Sequence, residues 1–127
     1  MILRGTVESG KAQGSEYIRL TWVRKQIENN LSFSPFPGTL NVKLNKKETK
    51  KLKEGLKKVQ SIEIAPEARF YPGKCYRASI NDETTCAIVV PELSDYPEDL
   101  VEIISPDNLR KKLGLADGDK VQIKILV

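Results

Sequence analysis

The sequence predicts a mainly β fold: a compact barrel carrying a few short helices. Short apolar or alternating runs recur along the whole chain, punctuated by Gly, Pro, Asn and Asp. Helical periodicity is confined to three brief segments, without the βαβ rhythm of a doubly wound sheet. A length of 127 residues fits one domain, 1–127, around one core.

The strand expectations run in order through ILRGTVES, SEYIRLTW, TLNVKL, SIEIAPEARF, KCYRASIN, TCAIVVPE, VEIISP and DKVQIKILV. Each alternates apolar and polar residues or is continuously apolar. INDET, between two of them, reads as a hairpin turn. The helical pieces are VRKQIENNL, the lysine-rich NKKETKKLKEGLKK and SPDNLRKKLGL. In the second, Leu52, Leu56 and Val59 fall at helical spacing beneath seven Lys and two Glu. That pattern is a helix with a solvated lysine face, or alternatively a nucleic-acid patch. In the third, Ser105 is placed to cap the helix, Pro106 to occupy its first position, Asp107 to face its positive end and Gly114 to stop it.

Hydrophobic residues make up 39% and charged residues 30%, a balance that suits a soluble globular chain. No apolar run approaches the ~20 residues of a membrane span, and MILRGTVESG is too short in apolar character for a signal peptide. The expectation is a cytoplasmic protein, monomeric, with neither membrane nor nucleic acid as partner. The formal charge of +4 favours an anionic ligand without choosing one. Cys75 and Cys86 lack zinc spacing and read as buried thiols. There is no His, which removes Ser-His-Asp and Cys-His nucleophiles and the commonest base near neutral pH. Chemistry on this chain falls to carboxylates, metal ions, positioning and backbone dipoles.

Two stretches invite a functional reading. Residues 5–12, GTVESGKA, fall one short of the GxxxxGK[ST] phosphate loop, because Ala12 has no hydroxyl for a metal. The strand-like EYIRL that follows also denies such a loop the helix it must open. SGKAQGS nonetheless reads either as an ordinary hairpin loop or as a nest of amides around phosphate, with Lys11 as a point charge. In PFPGTLNVKL, Thr39 and Asn41 are i and i+2 on a strand and share one face directly after Gly38. Either they hydrogen-bond the turn, or they aim two neutral oxygens at one cation that a triphosphate would have to accompany.

Four phrases occur together and in order: the early SG…G loop, FSPFPGTLNVKL, AIVVPE and VEIISPDNLRKKLGLADGDKVQI. Together they resemble the archaeal CTP-dependent riboflavin kinase family over nearly the whole chain. The resemblance implies a six-stranded, RIFT-related cradle-loop β-barrel. It implies transfer of the γ-phosphoryl of CTP to the ribityl 5′-hydroxyl of riboflavin, giving FMN and CDP. It also implies a kinase domain without the helix-turn-helix domain that some relatives carry at the N-terminus. By resemblance, Gly10, Lys11, Ala12, Gln13, Gly14 and Ser15 form the nucleotide loop, with Asp107, Asn108, Leu109 and Arg110 as a second nucleotide-binding segment. Thr39 and Asn41 would hold Mg²⁺, and Ser94 and Glu102 would contact the flavin. Glu102 would either act as base toward the ribityl hydroxyl or only bind the flavin. The segment NLRKKLGLADGDKVQIKI also resembles the turn of swapped-hairpin DNA-binding regulators, a reading that leaves PGTLN and the glycine-rich loop without a role.

Overall fold

The computed structural model describes residues 1–10, 13–67 and 69–126. In chain order the elements are β1 (Ile2–Glu8), α1 (Gln13–Tyr17), α2 (Thr21–Leu31), β2 (Leu40–Lys43), α3 (Lys46–Leu56), β3 (Ile62–Ile64), β4 (Gly73–Ile80), β5 (Thr84–Pro91), β6 (Leu100–Ile104), α4 (Leu109–Leu113) and β7 (Lys120–Ile125). The strands run in the order β3-β4-β5-β6-β2-β1-β7, and β7 pairs back onto β4. Every pairing is antiparallel. Six strands therefore close a barrel, and closure leaves no exposed ladder along most of the sheet. One edge of β4 is shared: Gly73–Cys75 take β3, while Ala78–Ile80 take β7.

Alternation sorts the side chains into two cores. Leu3, Val7, Val42, Ile88, Ile103 and Ile123 belong to the group that fills the barrel. A second group, including Ile18, Val23, Ile27, Ala87, Val89 and Ile104, packs α1 and α2 against the barrel's outer wall. β5 therefore reads as a continuous apolar run because both of its faces are covered. At Gly5, a Cβ would collide with the Val42 side chain and would lie 2.8 Å from the Lys43 carbonyl. Glycine lets β1 pass this close to β2.

Most of the expected strands form. INDET is a tight hairpin: Glu83 N–H donates to Ile80 O, and Asn81 and Asp82 adopt positive φ. Asn81 also extends the β4–β7 ladder, since Gln122 N–H donates to its side-chain oxygen. α3 is capped by Asn45, whose side chain accepts from Glu48 N–H. Its Leu52 and Leu56, with Val59 just past its end, pack on the barrel core, and most of its lysines face solvent.

Two local expectations are corrected. SEYIRLTW is not a strand; it spans α1 and the start of α2. Val23, Ile27 and Leu31 continue as a buried stripe at i, i+4, i+8, and burial against the barrel decides the period. Nor does Ser105 cap a helix. Its hydroxyl accepts from Asp107 N–H in a turn, and α4 begins at Leu109 behind Asn108, which accepts from Lys111 N–H. Gly114 does end it, at φ 64°.

Cys75 and Cys86 are both buried and free. Burial pushes each thiol from 9.0 up to about 12. The folded chain holds these protons where the unfolded chain releases them. Stability from this source is complete below about 9.0 and is lost as pH rises toward about 12. Urea midpoints should fall across that window. A Cys75→Ala, Cys86→Ala variant should fall less steeply, and an equal slope would show that the thiols do not contribute.

Candidate active site

A polar row crosses the outer wall of the barrel. Register pairs Glu8 with Asn41, Asn41 with Glu102, and Glu102 with Val89. Because Val42, Val101 and Ile103 point into the barrel, Asn41 and Glu102 point out of it. They are nevertheless buried, Asn41 at 8% exposure and Glu102 at 0%.

A carboxylate so placed is stable only if donors replace water. Three do, each from a different segment. Gly14 N–H, in α1, donates to Glu102 Oε2 at 2.8 Å. The Tyr96 hydroxyl, on the loop before β6, donates to the same oxygen at 2.5 Å. The Thr39 hydroxyl lies 2.9 Å from Oε1. Burial, then the bond to Glu102, pushes the Tyr96 phenol far above its ordinary range, so it remains a donor. Gly14 leaves no room for a side chain: a Cβ there would lie 2.5–2.8 Å from three atoms of the Glu102 carboxylate.

Thr39 Oγ1 also lies 2.9 Å from Asn41 Oδ1. Asn41 Nδ2 donates to Gly10 O at 3.3 Å, which fixes the amide with its oxygen toward Thr39. Three oxygens thus converge with one hydroxyl proton among them. Once that proton goes to Glu102, the Thr39 and Asn41 oxygens face each other without a hydrogen between them. Adjacent ligands of an octahedral Mg²⁺ at 2.0–2.1 Å lie about 3 Å apart, so the pair matches one edge of such a shell. Among the described residues no group of three or more His, Cys, Asp or Glu is placed to hold a metal. A cation here would depend on neutral protein oxygens and on its ligand.

Thr39 opens onto a cavity of about 170 Å³ lined by Phe36, Gly38, Leu40, Ile103, Ser105 and residues 107–110. Arg110 donates to Glu8 O at 3.2 Å and pairs with Asp117 at 2.7 Å. The Ser9 hydroxyl bonds Asp117 at 2.8 Å, and this bond, with Arg110, holds the Asp117 carboxyl below its ordinary range. α4 and the end of β1 are thereby fastened together at the rim.

The structure brings Gly10, Gly14, Thr39, Asn41, Glu102 and the 107–110 segment into one region. Gln13 is exposed and Ser15 half-buried; Lys11 and Ala12 lie outside the described residues. Ser94 is exposed, and Tyr96 is the residue of its loop that reaches Glu102. Asp107 pairs with Lys112 at 2.9 Å. Asn108 is committed as a helix cap and Leu109 is buried. Sequence reasoning missed Tyr96 and Phe36. Neither stands at a spacing that relates it to Glu102 or to residues 107–110, although Phe36 lies inside the PFPGTLN phrase. It also missed the aromatic wall where Tyr17 stacks on Tyr71 at 5.2 Å and Trp22 meets Phe70 at 5.7 Å.

Together these features define a class: a closed antiparallel barrel with an oxygen-lined cleft on its outer wall. Residues 7–125 match the family model CTP-dep_RFKase, described as a domain of unknown function, DUF120. The chain is 40% identical over 127 residues to a riboflavin kinase of Methanosarcina barkeri, covering 97% of this chain and 56% of the relative. It is 41% identical over 128 residues to a riboflavin kinase of Pyrobaculum aerophilum, covering 98% of this chain and 60% of the relative. A riboflavin kinase of Archaeoglobus fulgidus is 36% identical over 129 residues, with 98% and 54% covered. The chain spans between about half and three fifths of the length of these relatives. It belongs to the CTP-dependent riboflavin kinase domain family.

Gly14→Ala sets helix propensity against packing. Alanine gains about 1 kcal/mol in an open helix, but crowding a filled site costs about 1–3 kcal/mol. The variant should be less stable in urea; a gain in stability would show that Glu102 can move aside freely.

Proposed function

We propose that this chain phosphorylates riboflavin with CTP, giving FMN and CDP. The observation that carries the reading is the converging Thr39, Asn41 and Glu102 oxygens, within a family match spanning residues 7–125. Phosphoryl transfer asks a protein for alignment and charge stabilisation more than for covalent help, which suits a chain without His.

The roles divide along the cleft. Thr39 Oγ1 and Asn41 Oδ1 hold Mg²⁺, which offsets the charge of the triphosphate. The segment from Gly10 to Ser15, which runs into α1, receives the phosphates with Lys11. Residues 107–110 and the exposed ring of Phe36 receive the nucleoside in their shared cavity. Glu102 has four lone-pair sites, and three are taken by Gly14, Tyr96 and Thr39. Among the described residues the fourth, on Oε1, has no donor; it accepts the ribityl hydroxyl, orienting it for attack. Ser94, on the Tyr96 loop, lies on the flavin side. Tyr71 and Phe70 offer a flat apolar face to the ring system, with Tyr71 close enough to Glu102 that the carboxylate helps raise its phenol, after burial and Glu16. The family's name supports CTP as the donor.

Incubation with riboflavin, Mg²⁺ and each nucleoside triphosphate in turn should yield FMN with CTP, and its absence with CTP would sink the proposal. A Thr39→Ala, Asn41→Ala variant should stay folded and lose roughly a hundredfold or more in turnover. Unchanged turnover would remove the metal from these two residues.

A further inference from the structure

We infer that Tyr96 is a positioning residue, which acts through Glu102 to set the direction of the Thr39 hydroxyl and so the oxygen pair that receives the cation. The inference rests on the kinase reading and deepens it. Glu102 Oε2 has two lone pairs, and both are filled: one by Gly14 N–H at 2.8 Å, the other by Tyr96 O–H at 2.5 Å. Two donors on one oxygen fix the carboxylate plane. That plane presents Oε1 to Thr39 at 2.9 Å.

The consequence lies in the placement of a single proton. Thr39 has two acceptors at 2.9 Å, Glu102 Oε1 and Asn41 Oδ1. If its proton points at Asn41, it occupies the space between the two oxygens and opposes a cation. If it points at Glu102, both oxygens turn bare lone pairs the same way. An ionised acceptor wins over a neutral amide oxygen, so the anchored carboxylate selects the second arrangement. Glu102 thus acts on the cation without touching it, as a partner behind a ligand does. Tyr96 does so one step further out, from a loop that sequence spacing does not connect to Thr39.

Glutamine at 102 cannot reproduce this. With its oxygen toward Thr39, its amide group meets the Gly14 N–H donor to donor. With its oxygen toward Gly14, its amide donates to Thr39 and drives the threonine proton toward Asn41. Tyr96→Phe is milder: it keeps the ring and removes one of the two donors on Oε2.

The test uses Mn²⁺ as the metal and CDP as the nucleotide, with free Mn²⁺ read by electron paramagnetic resonance and riboflavin affinity read separately by fluorescence. Wild type should bind Mn²⁺ when CDP is present. Tyr96→Phe should keep its circular dichroism spectrum and weaken Mn²⁺ by about tenfold, with riboflavin weakened less. Glu102→Gln should lose more; should it fail to fold, Tyr96→Phe decides alone. A Tyr96→Phe protein that binds Mn²⁺ as wild type does, or weakens only toward riboflavin, overturns the inference while leaving the kinase reading intact. No Mn²⁺ binding by wild type with CDP overturns the kinase reading itself, and the inference with it.

Discussion

A carboxylate with no exposure must find donors inside the protein, and Glu102 organises the cleft around that requirement. An unpaired buried charge costs several kcal/mol, a large share of what holds a small domain folded. Three segments far apart in sequence are held to one point by this demand: α1 through Gly14, the turn before β2 through Thr39, and the loop before β6 through Tyr96. A site on mobile loops would lose its geometry to entropy. Here the loops end on a group that cannot do without them.

The barrel makes that point available. The register of β2 with β6 sets Asn41 beside Glu102, and that of β6 with β5 sets Glu102 beside Val89. A slip of one residue would turn both polar side chains into the apolar interior. Ala87, Val89 and Ile104, on the same outer wall, bury their side chains under α1 and α2. The contacts that cover the wall with helices are thus the ones that bring Gly14 over the carboxylate. Fold and site share one packing surface.

The parts legible in the sequence are those set by local rules. Alternation gave β1, β2 and β4 to β7 within a few residues, and the Asn-Asp turn gave the β4–β5 hairpin. Asn41 and Thr39 were readable as a pair because strand period two is a local property. SEYIRLTW misled because its apolar residues satisfy more than one period, and only packing on the barrel selects the helix. Ser105 misled because its hydroxyl serves a turn before the helix begins. Tyr96 was beyond reach for a different reason. Its partner is six residues away along the chain, but their meeting depends on the path of the intervening loop, which no propensity encodes.

The electrostatics of the cleft follow from which oxygens are neutral. Thr39 and Asn41 carry no charge, and the nearest carboxylate spends three of its four lone-pair sites on protein donors. A dication placed at the pair alone would exchange strongly bound water for two weak ligands, a poor trade for Mg²⁺. With triphosphate oxygens added, the trade reverses, and the negative charge of Glu102 contributes without ligating. On the kinase reading, metal and nucleotide therefore enter as one unit. The net charge of +4 then suits the anion that remains after the metal has neutralised part of the phosphate charge. On the same reading, the arrangement would keep the free site from sequestering cations, because the affinity would come largely from the nucleotide.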